Sequence, residues 1–462
     1  MRKTIGVRRE DKNKWERRTP LIPADVNELY ERFGITTIVQ PSDIRIFPDE
    51  VYKNAKARID EGLSNADIVF GVKEIPTRLL EKGKTYVFFS HTVKGQPYNM
   101  EMLKRLMDLQ CNLIDYERMS DHRNARLITF SVYAGLAGMI ETLHAFGRKM
   151  KMQGFRTPFE RIKQAYQYSS DIKAKEEIKD IGLEISKTGI PSEIHPLAVG
   201  LSGYGNVSKG AQNILDLLPV KTITPDQLRV GLNGADLDNA YIYKAVFEEK
   251  DMVQPREGEF ELQDYYDHPE KYESIFDDYL SDLNILVNCV YWTEKYPRLI
   301  TRQRLKDYLV GSNKSGLQVI GDISCDINGS IEITKAATKP DNACYTYYAD
   351  EDDYKNGIQD SGITIMAIDN LPCEFPREAS ASFSSELKVF VNDIVSADFK
   401  KDFKDLNLPN EIKKAVILQN GALTPLFCSF ALVTALHYHH YSLQHHPRKE
   451  FYRKQDNIFP SD

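Results

Sequence analysis

Two ionisable side chains end apolar, strand-like runs in the first quarter of the chain: Lys73 after DIVFGV and His91 after YVFFS. Ligands of open α/β sheets gather at the carboxyl ends of the strands, so both residues are expected to face one crevice. A lysine stripped of water in such a place titrates below its usual range, and a histidine already titrates near neutrality, so the pair could relay protons during a reaction. The blander alternative is a surface lysine and a core histidine. A third candidate is Arg18 in ERRTPLIP, where a turn presents a guanidinium that could fork onto a carboxylate. Its neighbours Glu16 and Arg17 read equally well as solvated charges. The stretch IDYERMSDHRNARLITF adds Glu117, His122, Arg123 and Arg126 just before an apolar segment.

A different chemistry is written at PLAVGLSGYGNVSKGAQNIL, which begins at Pro196. A short apolar run meets closely spaced glycines and then turns helical. Gly203 and Gly205 lack side chains, so a pyrophosphate can approach the backbone, and the helix start offers free N–H groups. A dinucleotide is the leading ligand. The third position of the G-x-G-x-x-G pattern is Ser208, with Gly210 two residues later, and an ordinary glycine-rich turn is the competing reading. The next strand, near Val220 to Ile223, ends in Thr224-Pro225 with Asp226 beyond, where an acidic residue is expected if NAD is held through its ribose hydroxyls. That weakens NAD and permits a 2′-phosphate, although no arginine stands nearby to bind one. On these residues alone the choice of cofactor stays open.

The elements that must position these groups alternate. TIGVRRE, ITTIVQPS, ADIVFGVKE, TYVFFSH and CNLIDYE read as strands, with PADVNELYERFG and NMEMLKRLMDLQ as helices between them. YAGLAGMIETLHAFGRKM follows, small and apolar at helical spacing, and reads as a closely packed helix between domains. ILVNCVYW and GLQVIGDIS continue the second sheet. The fold class is α/β, with two Rossmann-like domains built on parallel sheets and a catalytic cleft between them. Residues 251–283, acidic and rich in tyrosine, read as a surface insertion.

With 462 residues and 42% apolar composition the chain can bury two cores. A net charge of −7, spread along the sequence, excludes a clustered nucleic-acid footprint. No run approaches the ~20 apolar residues that span a bilayer, and no signal peptide is evident, so the expected location is cytoplasmic, with no membrane partner. Six cysteines without a C-x-x-C pair suit reduced thiols. The late histidines His437, His439, His440, His445 and His446 lack Cys or acidic companions, and no metal is expected.

Taken in order, ERRTPL, GVKE, YVFFSHTVKGQ, LIDYERMSDHR, GNVSKGAQ, YWTEKYPRLITRQ, GDISCDINGSIE and IDNLPCEFPREAS resemble the lysine-ketoglutarate reductase half of the bifunctional aminoadipate semialdehyde synthases, within the alanine dehydrogenase, transhydrogenase and saccharopine dehydrogenase superfamily. The resemblance runs over nearly the whole chain. It implies saccharopine formation from L-lysine and 2-oxoglutarate, with NADPH/NADP favoured over NADH/NAD. It implies Lys73 and His91 as the proton-transfer pair, Arg18 on a substrate carboxylate, and Glu117 and Arg126 supporting the same cleft. Lys94 and Arg123 are further cationic candidates. Gly203, Gly205 and Asn206 would meet the cofactor pyrophosphate, and Asp322 would lie on the nicotinamide side. Glu74 matches a Glu of the fungal saccharopine dehydrogenases and not of the animal reductases. The implied domains are 1–135 completed by 375–462 for substrate, and 136–374 for dinucleotide. Since the chain stops where a second dehydrogenase would begin, saccharopine oxidation is expected to fall to a separate protein. The alternatives are an alanine-dehydrogenase-like enzyme using ammonia, or a catalytically silent nucleotide-binding regulatory subunit.

Overall fold

The structure is a computed structural model that describes residues 3–93, 97–230, 232, 237–311 and 316–428. Lys94 and the late histidine cluster lie outside the described residues. The chain forms two compact units, one made of residues up to Thr129 together with those from Ser380 on, the other of Phe130–Ala379.

In the first unit the chain lays down β1 (Thr4–Val7), α1 (Pro23–Phe33), β2 (Thr36–Val39), α2 (Asp49–Asn54), β3 (Arg58–Ile59), β4 (Ile68–Phe70), β5 (Thr85–Phe88), α3 (Pro97–Asp108) and β6 (Asn112–Asp115). Strands such as IVF and TYVF are buried at every position, as befits parallel strands covered on both faces. In the second unit follow α4 (Ser131–Met152), α5 (Asp171–Thr188), β7 (Ala198–Ser202), α6 (Asn206–Leu215), β8 (Val220–Ile223), β9 (Ile242–Phe247), β10 (Val253–Pro255), β11 (Tyr272–Ser274), β12 (Ile285–Asn288), β13 (Val319–Asp322), β14 (Cys344–Tyr348), β15 (Asp353–Asn356) and β16 (Ile363–Met366). The chain then returns to the first unit for β17 (Val416–Gln419) and β18 (Ala422–Leu423).

Among the described residues the first sheet runs β18-β17-β6-β5-β4-β1-β2-β3 and the second β15-β14-β16-β13-β12-β7-β9-β8. Each is parallel through its middle. The expectation of parallel sheets needs amending only at one edge of each, where β17 and β18 and likewise β14 and β15 run antiparallel. In the second sheet β9, not β8, lies beside β7, and β8 is the outer strand.

Helix α4 belongs to the second unit and crosses α6 at backbone contact. A Cβ on Gly135 would fall 1.8 Å from the Val207 carbonyl oxygen, and one on Gly210 would fall 2.1 Å from that of Val132. The small residues read from the sequence as a packing face do that work against α6. The tyrosine-rich segment 251–283 corrects its surface reading. Tyr265, Tyr272, Phe276 and Tyr279 are buried, and Phe247 meets Phe276 and Tyr279 edge-on at 5.0 and 4.8 Å. The rings take the core while acidic residues such as Asp267, Glu270 and Asp278 face water, so composition alone concealed the burial.

Also buried in this unit are Glu141 of α4 and Glu374. The Glu141 carboxylate accepts hydrogen bonds from the Ala165 N–H (2.6 Å) and Gln164, whereas the Glu374 carboxyl finds no N–H donor among the described residues. Burial pushes Glu141 up to about 7 and, with Glu141 beside it, Glu374 well above the usual carboxyl range. Acids raised in the folded state stabilise fully below the ordinary value of 4.5, and that stability is lost as pH rises through the raised value. Glu374→Gln, which keeps a neutral group at every pH, should therefore gain stability over the native protein from pH 5 to pH 8. Urea unfolding at both pH values checks this, and an unchanging difference contradicts it.

Candidate active site

The first sheet brings the carboxyl ends of β6, β5, β4 and β1 side by side. Lys73 follows β4, His91 follows β5, Asp115 closes β6, and the stretch after β1 supplies Glu10, Glu16 and Arg18. These strand ends are held to one another by side chains. Glu10, buried, accepts the N–H of Val72 at 2.7 Å and of Lys73 at 3.0 Å. Asp115 accepts the Ser90 N–H (3.0 Å) and the Ser90 hydroxyl, and Asn99 donates to the carbonyls of Ser90 and His91. Burial raises Glu10 to about 7 and Asp115 to about 6.

Arg18 is only 3% exposed and Glu16 1%. The guanidinium donates from Nε and Nη2 to the two Glu16 carboxylate oxygens at 2.8 and 2.6 Å. The reading of Glu16 as a solvated charge is corrected, and the Nε–Nη2 edge of the Arg18 guanidinium is bound to Glu16. What Arg18 supplies here is a fixed positive charge near Lys73. Its turn is fastened by the returning helix Pro376–Ser396, whose Ser380 and Ser384 hydroxyls accept the N–H groups of Thr19 and Ile22, each at 3.0 Å. Lys73 is pushed below the ordinary lysine range, first by burial and next by the charge of Arg18.

His91 sits at a positive φ of 49° with its ring 32% exposed. Its Nδ1 lies 2.6 Å from Glu74 Oε1, and the other Glu74 oxygen is 3.2 Å from Lys12 Nζ. Burial alone would raise Glu74, but the hydrogen bond from His91 and the charge of Lys12 hold it down to about 2. An ionised carboxylate can only accept, so Nδ1 carries the hydrogen and Nε2 is the nitrogen that can exchange a proton. Phe89, Tyr116 and Phe383 pack as an aromatic wall beside it, with ring centroids 5.2 and 4.9 Å apart.

Glu117 and Arg126 meet each other, with Nη2 to Oε1 at 2.7 Å, and Arg126 is half exposed. Exposed pairs of this kind contribute little to stability. Arg123 lies on an exposed turn.

In the second unit the glycine motif forms the β7–α6 turn. Gly203 takes φ +84°, a conformation that favours glycine, and its N–H donates to the Phe247 carbonyl at 2.9 Å. Gly205 precedes α6 with an ordinary φ of −72°, and a Cβ there would meet nothing within 4 Å. Its lack of a side chain therefore leaves open the space before the helix N-terminus, which fits a dinucleotide pyrophosphate. Asn206 is the exposed first residue of the helix, and Ser208 is buried in the packing position expected of it. Asp322 ends β13, two strands from β7, but is 1% exposed. It accepts from Asn288 (2.8 Å), Thr334 (2.5 Å) and the Cys325 N–H (3.1 Å). Burial lifts it to about 6. These bonds tie the end of β13 to β12 and to the loop that follows.

Sequence reasoning missed Glu10 and Asp115 and set Glu74 aside. Asp115 carried a usable signal, a carboxylate inside the apolar run NLID. Glu10 carried none, since its partners lie 62 and 63 residues away.

Glu74 has its pKa depressed, so its ionised form stabilises the fold above the ordinary value of 4.5, and this is lost as pH falls through about 2. Glu74→Gln should lower stability at pH 7 by up to about 3 kcal/mol, with a smaller difference at pH 3.5. Unfolding curves at the two pH values test it. A difference that does not shrink contradicts the charged pairing.

Comparison with known proteins gives concordant results. Residues 6–137 match the family described as Alanine dehydrogenase/PNT, N-terminal domain, and residues 265–425 match Alanine dehydrogenase/PNT, C-terminal domain. The alpha-aminoadipic semialdehyde synthase of Arabidopsis thaliana is 36% identical over 442 residues, covering 92% of this chain and 41% of that protein. The mitochondrial enzyme of the same name from Mus musculus is 35% identical over 433 residues, covering 91% and 46%. The chain thus spans less than half the length of these relatives. The saccharopine dehydrogenase [NAD(+), L-lysine-forming] of Neurospora crassa is 25% identical, covering 84% of this chain and 90% of its own. Among solved structures, an L-alanine dehydrogenase superposes with a TM-score of 0.61 at 16% identity, covering 94% of this chain and 99% of that one. The transhydrogenase of Sinorhizobium meliloti gives 0.55 at 14%, covering 91% and 100%. The two domain matches together take in more than half of the sequence, and the chain belongs to the alanine dehydrogenase/PNT family.

Proposed function

We propose that this chain is a nicotinamide-dependent oxidoreductase that condenses the ε-amine of L-lysine with the ketone of 2-oxoglutarate and reduces the resulting imine to saccharopine, or runs the reverse. The observation that carries the reading is the placing of Lys73 and His91 at adjacent strand ends, one amine titrating low and one imidazole with its tautomer held by Glu74. The names of the relatives support lysine chemistry over other imine reductions.

The condensation needs protons moved in both directions. The amine nitrogen attacks the carbonyl carbon, loses a proton, and the former carbonyl oxygen gains one; a second protonation lets that oxygen leave as water. A neutral Lys73 takes a proton from nitrogen, and Nε2 of His91 gives and recovers a proton at oxygen. Arg18 acts through its charge on Lys73, and the edge of its guanidinium not bound to Glu16 is the one offered to a substrate carboxylate. Arg126, half exposed and paired with Glu117, is the cationic group offered to a substrate carboxylate. Gly203, Gly205 and Asn206 would hold the pyrophosphate, and the bound reduced nicotinamide supplies the hydride that the imine carbon accepts. Either NADPH or NADH satisfies that chemistry, because the extra phosphate lies at the far end of the molecule.

Loss of reduced-cofactor absorbance with L-lysine plus 2-oxoglutarate tests the proposal. Turnover should need both substrates, and Lys73→Met and His91→Gln should each lower kcat about 10²-fold or more. Turnover with ammonia and pyruvate instead would move the chain to an alanine-dehydrogenase-like reaction, and tight dinucleotide binding with no turnover would make it a regulatory subunit.

A further inference from the structure

A second gathering of cations lies in the second unit, outside the glycine turn. The hairpin β10–β11, the loop that leaves β12 and the first turn of the helix Arg302–Gly311 enclose an open cleft of about 350 Å³. Arg256, Lys295, Arg298 and Arg304 line it, with the hydroxyl residues Ser274 and Thr301 among them. None of the lining residues belongs to the glycine turn or to the strand ends around Lys73 and His91.

These cations are fixed largely by neutral oxygen atoms. Arg298 donates from Nε to the Gly329 carbonyl at 3.1 Å and from Nη2 to that of Asn328 at 3.0 Å, and its guanidinium lies 5.0 Å from the centre of the Trp292 ring. The Trp292 indole in turn donates to the carbonyls of Tyr296 and Pro297 at 3.1 and 3.2 Å, which pins the loop in the shape that presents Arg298. Nη1 of Arg298 has no partner among the described residues. The Lys295 ammonium meets the Tyr266 carbonyl at 3.2 Å and the face of Tyr296, so other N–H groups remain to donate. Arg304 uses Nη1 on the Ser274 carbonyl and on Asp277, each at 2.7 Å, and keeps Nε and Nη2. Arg256 stands 3.7 Å from Glu273, too far for a hydrogen bond. Ser274 and Thr301 accept backbone N–H groups with their oxygens and retain their own hydrogens to donate.

The acids at the cleft do not balance these charges. Glu270 is exposed, 3.6 Å from His268, and Glu273 accepts from Gln254 at 2.9 Å. A carbonyl satisfies a donor without cancelling its charge, so like charges held together in this way favour an anion between them. Guanidinium groups fork onto carboxylate and phosphate alike, and a volume of about 350 Å³ suits a small molecule. We propose that this cleft binds a small multivalent oxyanion, a polycarboxylate or a phosphorylated metabolite, across Arg256, Lys295, Arg298 and Arg304. Held there, the anion ties the β10–β11 hairpin to the loop after β12. The proposal depends on neither the amine nor the nicotinamide cofactor of the function proposed above.

The test is calorimetric titration of the full chain, at constant ionic strength in chloride, with inorganic pyrophosphate and separately with citrate. At least one of them should bind with a Kd below about 1 mM. Lys295→Met/Arg298→Gln should weaken that binding by about tenfold or more, whereas Arg126→Gln, or saturation with NADH and NADPH, should leave it within about twofold. Pyrophosphate binding alone supports a phosphorylated ligand, and citrate binding alone a polycarboxylate. Binding of neither overturns the proposal, as does binding that the double variant leaves unchanged, or that Arg126→Gln or the dinucleotides abolish. Should the double variant not fold, the native chain decides. With the anion at a few times its Kd, acylation of Lys295 followed by mass spectrometry should slow by about threefold relative to the other exposed lysines, and an unchanged rate overturns the site.

Discussion

The first unit is organised around a charge that cannot leave. Arg18 and Glu16 are both buried, and their two-point hydrogen bond compensates a desolvation that neither could bear alone. Such a pair adds little net stability compared with an apolar substitute, so its consequence is positional. It fixes a guanidinium, its charge partly opposed by the Glu16 carboxylate, near the end of β4, where Lys73 is already short of water. An ammonium there is disfavoured twice, by burial and by a like charge. At the end of β5 the His91 Nδ1–H is met by the Glu74 carboxylate, which Lys12 and His91 together keep ionised. On neighbouring strands, one amine is thereby made harder to charge and one imidazole is fixed in orientation and tautomer.

The second unit is organised by close approach. α4 and α6 touch through Gly135 and Gly210 with no room for a methyl group, and this contact sets where the N-terminus of α6 stands relative to β7. The turn between them then needs a glycine twice, for unlike reasons: Gly203 for its left-handed backbone and Gly205 for the empty space before the helix. Neither reason concerns stability alone, and together they leave main-chain donors facing outward.

Much of this was legible from residue order. Strand-like runs ending in Lys73 and His91, and the glycine turn before a helix, stand in the structure where periodicity and turn chemistry put them. What escaped depends on contacts remote in sequence. That β9 rather than β8 flanks β7 follows from a crossover that local pattern cannot show, and it sets Thr224 and Asp226 one strand further from β7. Arg18 stood out in the sequence as a turn guanidinium and Asp322 entered through the resemblance; their partners, Glu16 in one case and Asn288 and Thr334 in the other, lie where local pattern does not show them. The tyrosines of 251–283 were hidden by the acids between them.

The central claim is that Lys73 exists as a neutral amine at a pH where ordinary lysines are charged. Its reaction with an acylating reagent, followed from pH 6 to 11 by mass spectrometry against the exposed lysines of the same chain, measures this directly. The account predicts a half-maximal pH for Lys73 clearly below theirs. A half-maximal pH equal to or above that of the exposed lysines would contradict it.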